Sequence, residues 1–286
     1  MQRERQIAVF LLILTAVLWS TGGVLIKWVT WHAMAIAGMR SAIAAAFLWV
    51  VLRRPQFTWS RLQLGGAVAY TASVLGFVLA TKLTTAANAI VLVYTAPIYV
   101  ALLSPWFLQE HVTRLDWLAL GLVIGGMGLF FLDHLTTAGW WGNGCAIISG
   151  IATAWVVLCL RKQHSASTLE TVLLGNLLTA LVGAPFMFHA LPDLTSWGAL
   201  ALAGMGQIGL AFVLYTRAIQ SVSALEAILI PVIEPLLNPL WVLVLIGEVP
   251  GRWAMLGGAV VIIAVTARGL LTAAPAPAEL VPPRRD

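Results

Sequence analysis

The chain has 286 residues, of which 60% are hydrophobic and only 9% charged, and its mean hydropathy is +0.94. So little charge cannot cover the surface of a soluble domain, and the chain reads as a polytopic, all-α membrane protein with no separate soluble domain. The net charge of +5 is spread over loop ends, which argues against nucleic acid as a partner and makes the basic residues markers of orientation.

Hydropathy predicts ten spans, at 7–27, 33–52, 63–81, 86–107, 116–133, 141–160, 169–190, 196–216, 221–246 and 253–271. The first follows Arg3 and Arg5 and lacks a small-residue cleavage site, so it reads as a retained span. Residues 273–286 are proline-rich and read as a disordered tail. With the N-terminus placed inside, twelve lysines and arginines fall on the inner side and three (Lys27, Lys82, Arg252) on the outer, while Arg40 lies within span 2. That bias puts both termini in the cytoplasm. Cys145 and Cys159 share one predicted helix, roughly 21 Å apart along its axis, too far to bridge.

The most costly stretch to place in lipid is 225–248, which carries Glu226, Glu234, Asn238, Pro231, Pro235 and Pro239 in an apolar span. It has a partner at 86–110. A shift of 138 residues lays Ala89 and Ile90 on Ala227 and Ile228, Pro97 on Pro235, and Glu110 on Glu248. Residues 77–82 match 212–217, Trp117 and Gly121 match Trp253 and Gly257, and Trp19 pairs with Trp155. Spans 3-4-5 therefore correspond to spans 8-9-10. Each unit holds five spans, an odd number, so the units, 1–137 and 138–272, enter the membrane in opposite directions. Inverted repeats are the architecture of alternating-access transporters, with the substrate between the units near midplane.

On span 4, Asn88, Thr95 and Tyr99 fall within about 40° of one face, with Tyr94 pointing elsewhere. Such a stripe suits a polar pocket or hydrogen bonding between spans, and the spacing does not choose between them. On span 9, Glu234 and Asn238 share a face. Glu234 can meet a substrate ammonium or carry a proton, or it can form a structural ion pair with buried Arg40; Glu226 is a second candidate for proton coupling, nearer the span's end. Nine tryptophans sit at predicted span ends as interfacial belts. Trp19 and Trp155 lie deeper and are candidates to line a cavity, as are Tyr70, Ser73, Phe77 and Gln207. The i, i+4 pairs Glu110 with Arg114 and Glu248 with Arg252 read as structural. Gly121 and Gly125 form a GxxxG pair for close helix packing.

No phosphate loop, HExxH or GxSxG is present, and the five histidines are scattered. The expectation is a protein that is not an enzyme and uses no cofactor or metal.

The residues AVLWSTGGVLIK in span 1, Arg40, Thr95-Ala96-Pro97 with Glu110, Glu234-Pro235 and Gly247-Glu248 resemble the drug/metabolite transporter superfamily, EamA type. The phrase EPLLNPLWV with the downstream GEVP is similar to the YddG-type aromatic amino-acid exporters of that superfamily. The resemblance implies an exporter of aromatic and other neutral amino acids in a bacterial inner membrane, with the bilayer and a small solute as its partners and a monomer as the simplest assembly. It implies a central cavity lined by spans of both units, and the residues read above place the expected substrate site among Asn88, Thr95, Tyr99, Glu234, Asn238, Trp19, Trp155, Tyr70 and Gln207. Ala96 stands where its repeat mate has Glu234, so only one unit supplies that carboxylate. Export of drugs, nucleosides or other metabolites, and a non-cycling channel, remain open.

Overall fold

Helix starts are written in the capping residues. The Ser60 hydroxyl accepts from the Gln63 amide, Thr113 and Asp116 form a reciprocal capping box, Asp193 accepts from the Ser196 amide, and Ser223 and Glu226 form a second box. Each satisfies backbone donors that the first helical turn leaves unpaired. The computed structural model describes residues 2–22, 25, 28–84, 86–132, 139–163, 168–188, 191–237, 241 and 251–273. Among these, all regular structure is helical.

The elements run α1 Gln2–Ser20, α2 Ala33–Leu52, α3 Arg61–Leu83, α4 Ala86–Val93, α5 Ala96–Phe107, α6 Arg114–Phe130, α7 Trp140–Lys162 and α8 Thr168–Met187. Then come α9 Leu194–Ala201, a π-helical segment Leu202–Leu210, α10 Ala211–Ala218, α11 Ala224–Leu229, a 3-10 turn Ile230–Ile233 and α12 Arg252–Ala273. Seven stretches are long and apolar enough to cross a membrane: Ala33–Leu52, Arg61–Ala80, Asn88–Phe107, Trp140–Lys162, Thr168–Met187, Leu194–Ala218 and Arg252–Thr272. The expected count of ten is not reached among the described residues. α1 has Arg3, Glu4 and Arg5 in its first turn, α6 has 17 residues, and the stretch after α11 is interrupted and runs into 238–240 and 242–250, which lie outside the described residues. The tail 274–286 also lies outside them.

Helices pair in a pattern that maps onto itself. α3 lies on α7 and α8, while the 194–218 rod lies on α1 and α2; α5 lies on α7, while the 3-10 turn lies on α1. The pairs α2 with α8, α6 with α12, and α5 with α11 close the set. In lipid, apolar side chains gain little by leaving one apolar medium for another, so association relies on close backbone approach at small residues. A Cβ on Gly183 would lie 2.6 Å from the Gly38 Cα, which brings α2 and α8 together at their glycines. α6 and α12 meet at Gly126 and Gly257, where a Cβ on Gly126 would stand 3.0 Å from the Gly257 carbonyl and one on Gly257 would strike the Gly126 carbonyl. This corrects the GxxxG expectation: Gly121 and Gly125 have nothing within 4 Å of such a Cβ, and the contact lies on the neighbouring face. Away from the contacts the surface is apolar, as at Phe10, Leu181 and Ile263, and Trp28, Trp59, Trp106, Trp140 and Trp141 are mostly exposed at helix ends. Cys145 and Cys159 are both free on α7.

One end of the bundle is tied by ions. Arg5 meets Glu226 at 2.5 Å, and Arg268 meets Asp116 at 2.7 Å and Glu226 at 3.7 Å, which joins α1, α6, α11 and α12. Glu110 pairs with Arg161 of α7 at 2.7 Å and accepts from the Ala224 amide at 2.8 Å. The expected pairing of Glu110 with Arg114 is not made, because α5 ends at Phe107 and α6 begins at Arg114, so the two never share a helix.

Two predictions follow from this packing. Gly257→Leu lowers the melting temperature in detergent while Gly121→Leu leaves it unchanged, since overpacking costs about 1–3 kcal/mol and an open site costs nothing; equal melting of the two variants contradicts the assigned crossing. Arg268→Ala leaves Asp116 buried without its partner and destabilises by about 3–5 kcal/mol, read by chemical unfolding in micelles, whereas a loss below about 1 kcal/mol marks the pair as solvated.

Candidate functional site

Both proline-bearing segments break near mid-bundle, and the breaks face each other. In the first, α4 stops at Val93 and α5 starts at Ala96, with Pro97 supplying no amide hydrogen. The Thr95 amide bonds the Leu92 carbonyl at 3.2 Å, and the Ile98 amide bonds the Thr95 carbonyl at 2.9 Å, both three residues back as in a tightened turn. In the second, Pro231 opens the 3-10 turn and Glu234 caps its end, followed by Pro235. Glu234 lies ten residues past the start of α11, about 15 Å along the axis, half of a typical hydrocarbon core of about 30 Å.

The Tyr94 hydroxyl donates to Glu234 Oε2 at 2.7 Å. This contact joins the two breaks. Tyr94 does point away from Asn88, which bonds toward α7, and it is this face, not the stripe of Asn88, Thr95 and Tyr99, that meets Glu234. Both residues are half-buried. No ion pair joins Arg40 and Glu234 among the described residues.

A group of aromatic rings gathers on α1, α3 and α10. The Trp19 ring is 5.3 Å from Phe212 and 5.4 Å from Tyr215, and Tyr70 meets Phe212 edge-on at 5.3 Å. The Tyr70 hydroxyl donates to Asn176 Oδ1 at 3.2 Å. Gln207, on the π-helical segment, donates to the Trp19 carbonyl at 3.4 Å, and its Oε1 is buried without a partner. π-helical turns recur at functional sites. The structure thus brings Trp19, Tyr70 and Gln207 together.

The other candidates go elsewhere. Asn88 is buried and donates to Thr84 Oγ1 at 3.3 Å and Asn143 Oδ1 at 3.2 Å, bonding α4 to α7. Thr95 donates to the Leu92 carbonyl at 2.6 Å, closing the break rather than opening onto it. Tyr99 is partly buried against the main core. Trp155 packs edge-on to Phe107 at 5.0 Å, and Lys162 donates to the Phe107 carbonyl at 2.7 Å, so Trp155 sits at the ion-tied end, away from Trp19. Glu226 is occupied by its capping box and by Arg5 and Arg268. Asn238 lies outside the described residues, as do Gly247 and Glu248. Ser73 shares a 2.6 Å hydrogen bond with Thr153, and Phe77 packs in the small cluster of Ala80, Ala89 and Ala146. A cleft of about 470 Å³ at the ion-tied end is lined by Trp106, Phe107, Leu108, Gln109, Glu110, Arg161 and Lys162, but its charged groups are already engaged.

Sequence reasoning missed Tyr94, Phe212 and Tyr215 as site residues. The signal for Phe212 was present, as the repeat mate of Phe77, and Tyr215 lies one turn further on the same face.

Comparison with known proteins places this geometry. The EamA-like transporter family model matches residues 6–132 and again 140–267. An uncharacterized transporter of Archaeoglobus fulgidus is 28% identical over 259 residues, covering 89% of this chain and 93% of that protein. The pseudopaline exporter CntI of Pseudomonas aeruginosa is 26% identical over 251 residues, covering 83% of this chain and 86% of that protein. A solved crystal structure shares the fold with a TM-score of 0.81 at 17% identity, over 93% of this chain and 98% of the other. With the family model matched twice and nearly end to end, the chain belongs to the EamA-like transporter family.

Proposed function

We propose that the chain is a secondary transporter that exports aromatic and other neutral amino acids, or related metabolites, across the bacterial inner membrane by alternating access. The observation that carries this reading is the hydrogen bond between Tyr94 and Glu234, which joins two helix breaks in a bundle that also gathers an aromatic group of Trp19, Tyr70, Phe212 and Tyr215. In this reading ten spans form two inverted units, 1–137 and 138–272, with both termini cytoplasmic. The double family match, the self-mapping helix contacts and the alignment of Pro97 with Pro235 support it. The name of the Pseudomonas relative favours a second reading within the same class, export of another small metabolite.

Mechanistically, a broken helix exposes backbone groups that a solute can borrow, and such breaks are tolerated only where protein or a wet cavity satisfies them. The aromatic group receives an apolar side chain, with ring contacts worth about 0.5–1.5 kcal/mol beyond the buried area. Glu234 takes the solute's ammonium or a proton; either event competes with Tyr94 for the carboxylate and loosens the join between the breaks. The ion pairs around Glu226 and Glu110 then hold or release one end of the bundle as the units rock.

Protein in liposomes shows saturable counterflow of labelled phenylalanine, threonine or methionine above empty vesicles; no flux with any of the three contradicts the substrate class. Glu234→Gln lowers that flux about tenfold or more, in line with loss of a charged hydrogen-bond partner worth about 1.5–3 kcal/mol. A variant that keeps flux but no longer responds to a pH gradient marks Glu234 as the proton carrier, one with raised KM at every gradient marks it as the ammonium partner, and an unchanged variant contradicts both roles. Single cysteines at positions 95 and 234, placed in a protein lacking Cys145 and Cys159, are labelled from alternate sides as substrate is added. Constant labelling from both sides indicates a channel.

A further inference from the structure

Arg40 is a buried charged group that plays no part in the transport steps described above. It sits on α2 seven residues past Ala33, about 10 Å into the helix. It is 8% exposed, and its Nε is buried with no hydrogen-bond acceptor. Among the described residues no carboxylate pairs with it: Glu110 is held by Arg161, Asp116 and Glu226 by Arg268, and Glu234 by Tyr94. A buried guanidinium without a counter-charge is costly at any depth in a membrane protein, and such groups mark solute pathways.

Its surroundings belong to the aromatic site. The Arg40 charge is within electrostatic reach of the Tyr70 phenol, whose ring touches Phe212. The Arg40 carbonyl packs on the π-helical segment, 2.8 Å from where a Cβ on Gly204 would stand. One turn along that segment is Gln207, whose Oε1 is a buried acceptor without a donor. An unfilled donor and an unfilled acceptor therefore sit on two elements packed against each other, α2 and the π-helical segment. An amino acid carries a carboxylate for the first, and its ammonium can donate to Gln207 where Glu234 instead takes a proton. Tyr70 does not neutralise the arginine, because its hydroxyl hydrogen is already given to Asn176.

We propose that Arg40 is the carboxylate-binding residue of the central site, so that the exported solute carries a carboxylate that docks on the guanidinium while its apolar part lies against Phe212, Trp19 and Tyr70. This rests on the transport reading and adds a requirement to it. The planar guanidinium offers two parallel N–H groups to a carboxylate, a geometry that lysine does not reproduce.

Two readouts test it. In liposomes, phenylalanine and 3-phenylpropionate compete for the site while phenylalaninamide does not, and Arg40→Lys raises the KM for phenylalanine about tenfold or more, with Arg40→Met losing the preference for acid over amide. In detergent, both carboxylates raise the melting temperature of the wild type and the amide does not. Arg40→Met without ligand melts at the wild-type temperature or above it, since it removes a charge that nothing in the protein balances. Phenylalaninamide moved as fast as phenylalanine overturns the carboxylate assignment and leaves the transporter standing. Carboxylate-specific stabilisation without any flux overturns the export reading and leaves the binding site. Lower melting of ligand-free Arg40→Met shows a structural arginine, and no stabilisation by either carboxylate shows no such site; each overturns the proposal.

Discussion

A helix that gives up backbone hydrogen bonds in the middle of an apolar bundle has to be repaid by protein, because lipid offers no donors or acceptors. This chain breaks two helices at mid-depth, at Pro97 and at Pro231 with Pro235, and sets them against each other. The hydrogen bond from Tyr94 to Glu234 spans the two breaks. It satisfies a carboxylate where no solvent would, and it makes each break depend on the other. The rings of Trp19, Phe212, Tyr215 and Tyr70 form an aromatic group on α1, α3 and α10.

Rigid surroundings make that contact informative. α2 with α8 and α6 with α12 close at glycines, where backbones meet with no side chain between them. Both crossings join a helix of the first half of the chain to one of the second. The ion pairs of Arg5, Arg268 and Arg161 tie α11 to α1 and α12, α12 to α6, and the chain after α5 to α7 and α11, all at one end of the bundle.

Much of this was legible in the residues. Apolar length located α2 at 33–52 to the residue, and the expense of Glu234 among prolines pointed to the break that carries it. The internal match of Pro97 with Pro235 set the two proline-bearing segments in correspondence. What sequence could not supply was facing. Helical rotation separated Tyr94 from the Asn88 stripe but did not say which of the two faces meets Glu234, and Gly121 with Gly125 has the right spacing on the wrong face, one residue from Gly126. Glu110 and Arg114 have helical spacing, but no helix spans them. The span count was set by hydropathy alone, which does not register that α6 has 17 residues or that the stretch after Leu229 leaves the α-helix.

The central claim is that Tyr94 and Glu234 act as one unit at the junction of the two breaks. A double-mutant cycle on transport rate, with Tyr94→Phe, Glu234→Gln and the double variant, measures this directly. The account predicts that the double variant is no worse than Glu234→Gln alone, a coupling of about 1 kcal/mol or more. Additive losses would contradict it and leave two residues that merely lie side by side.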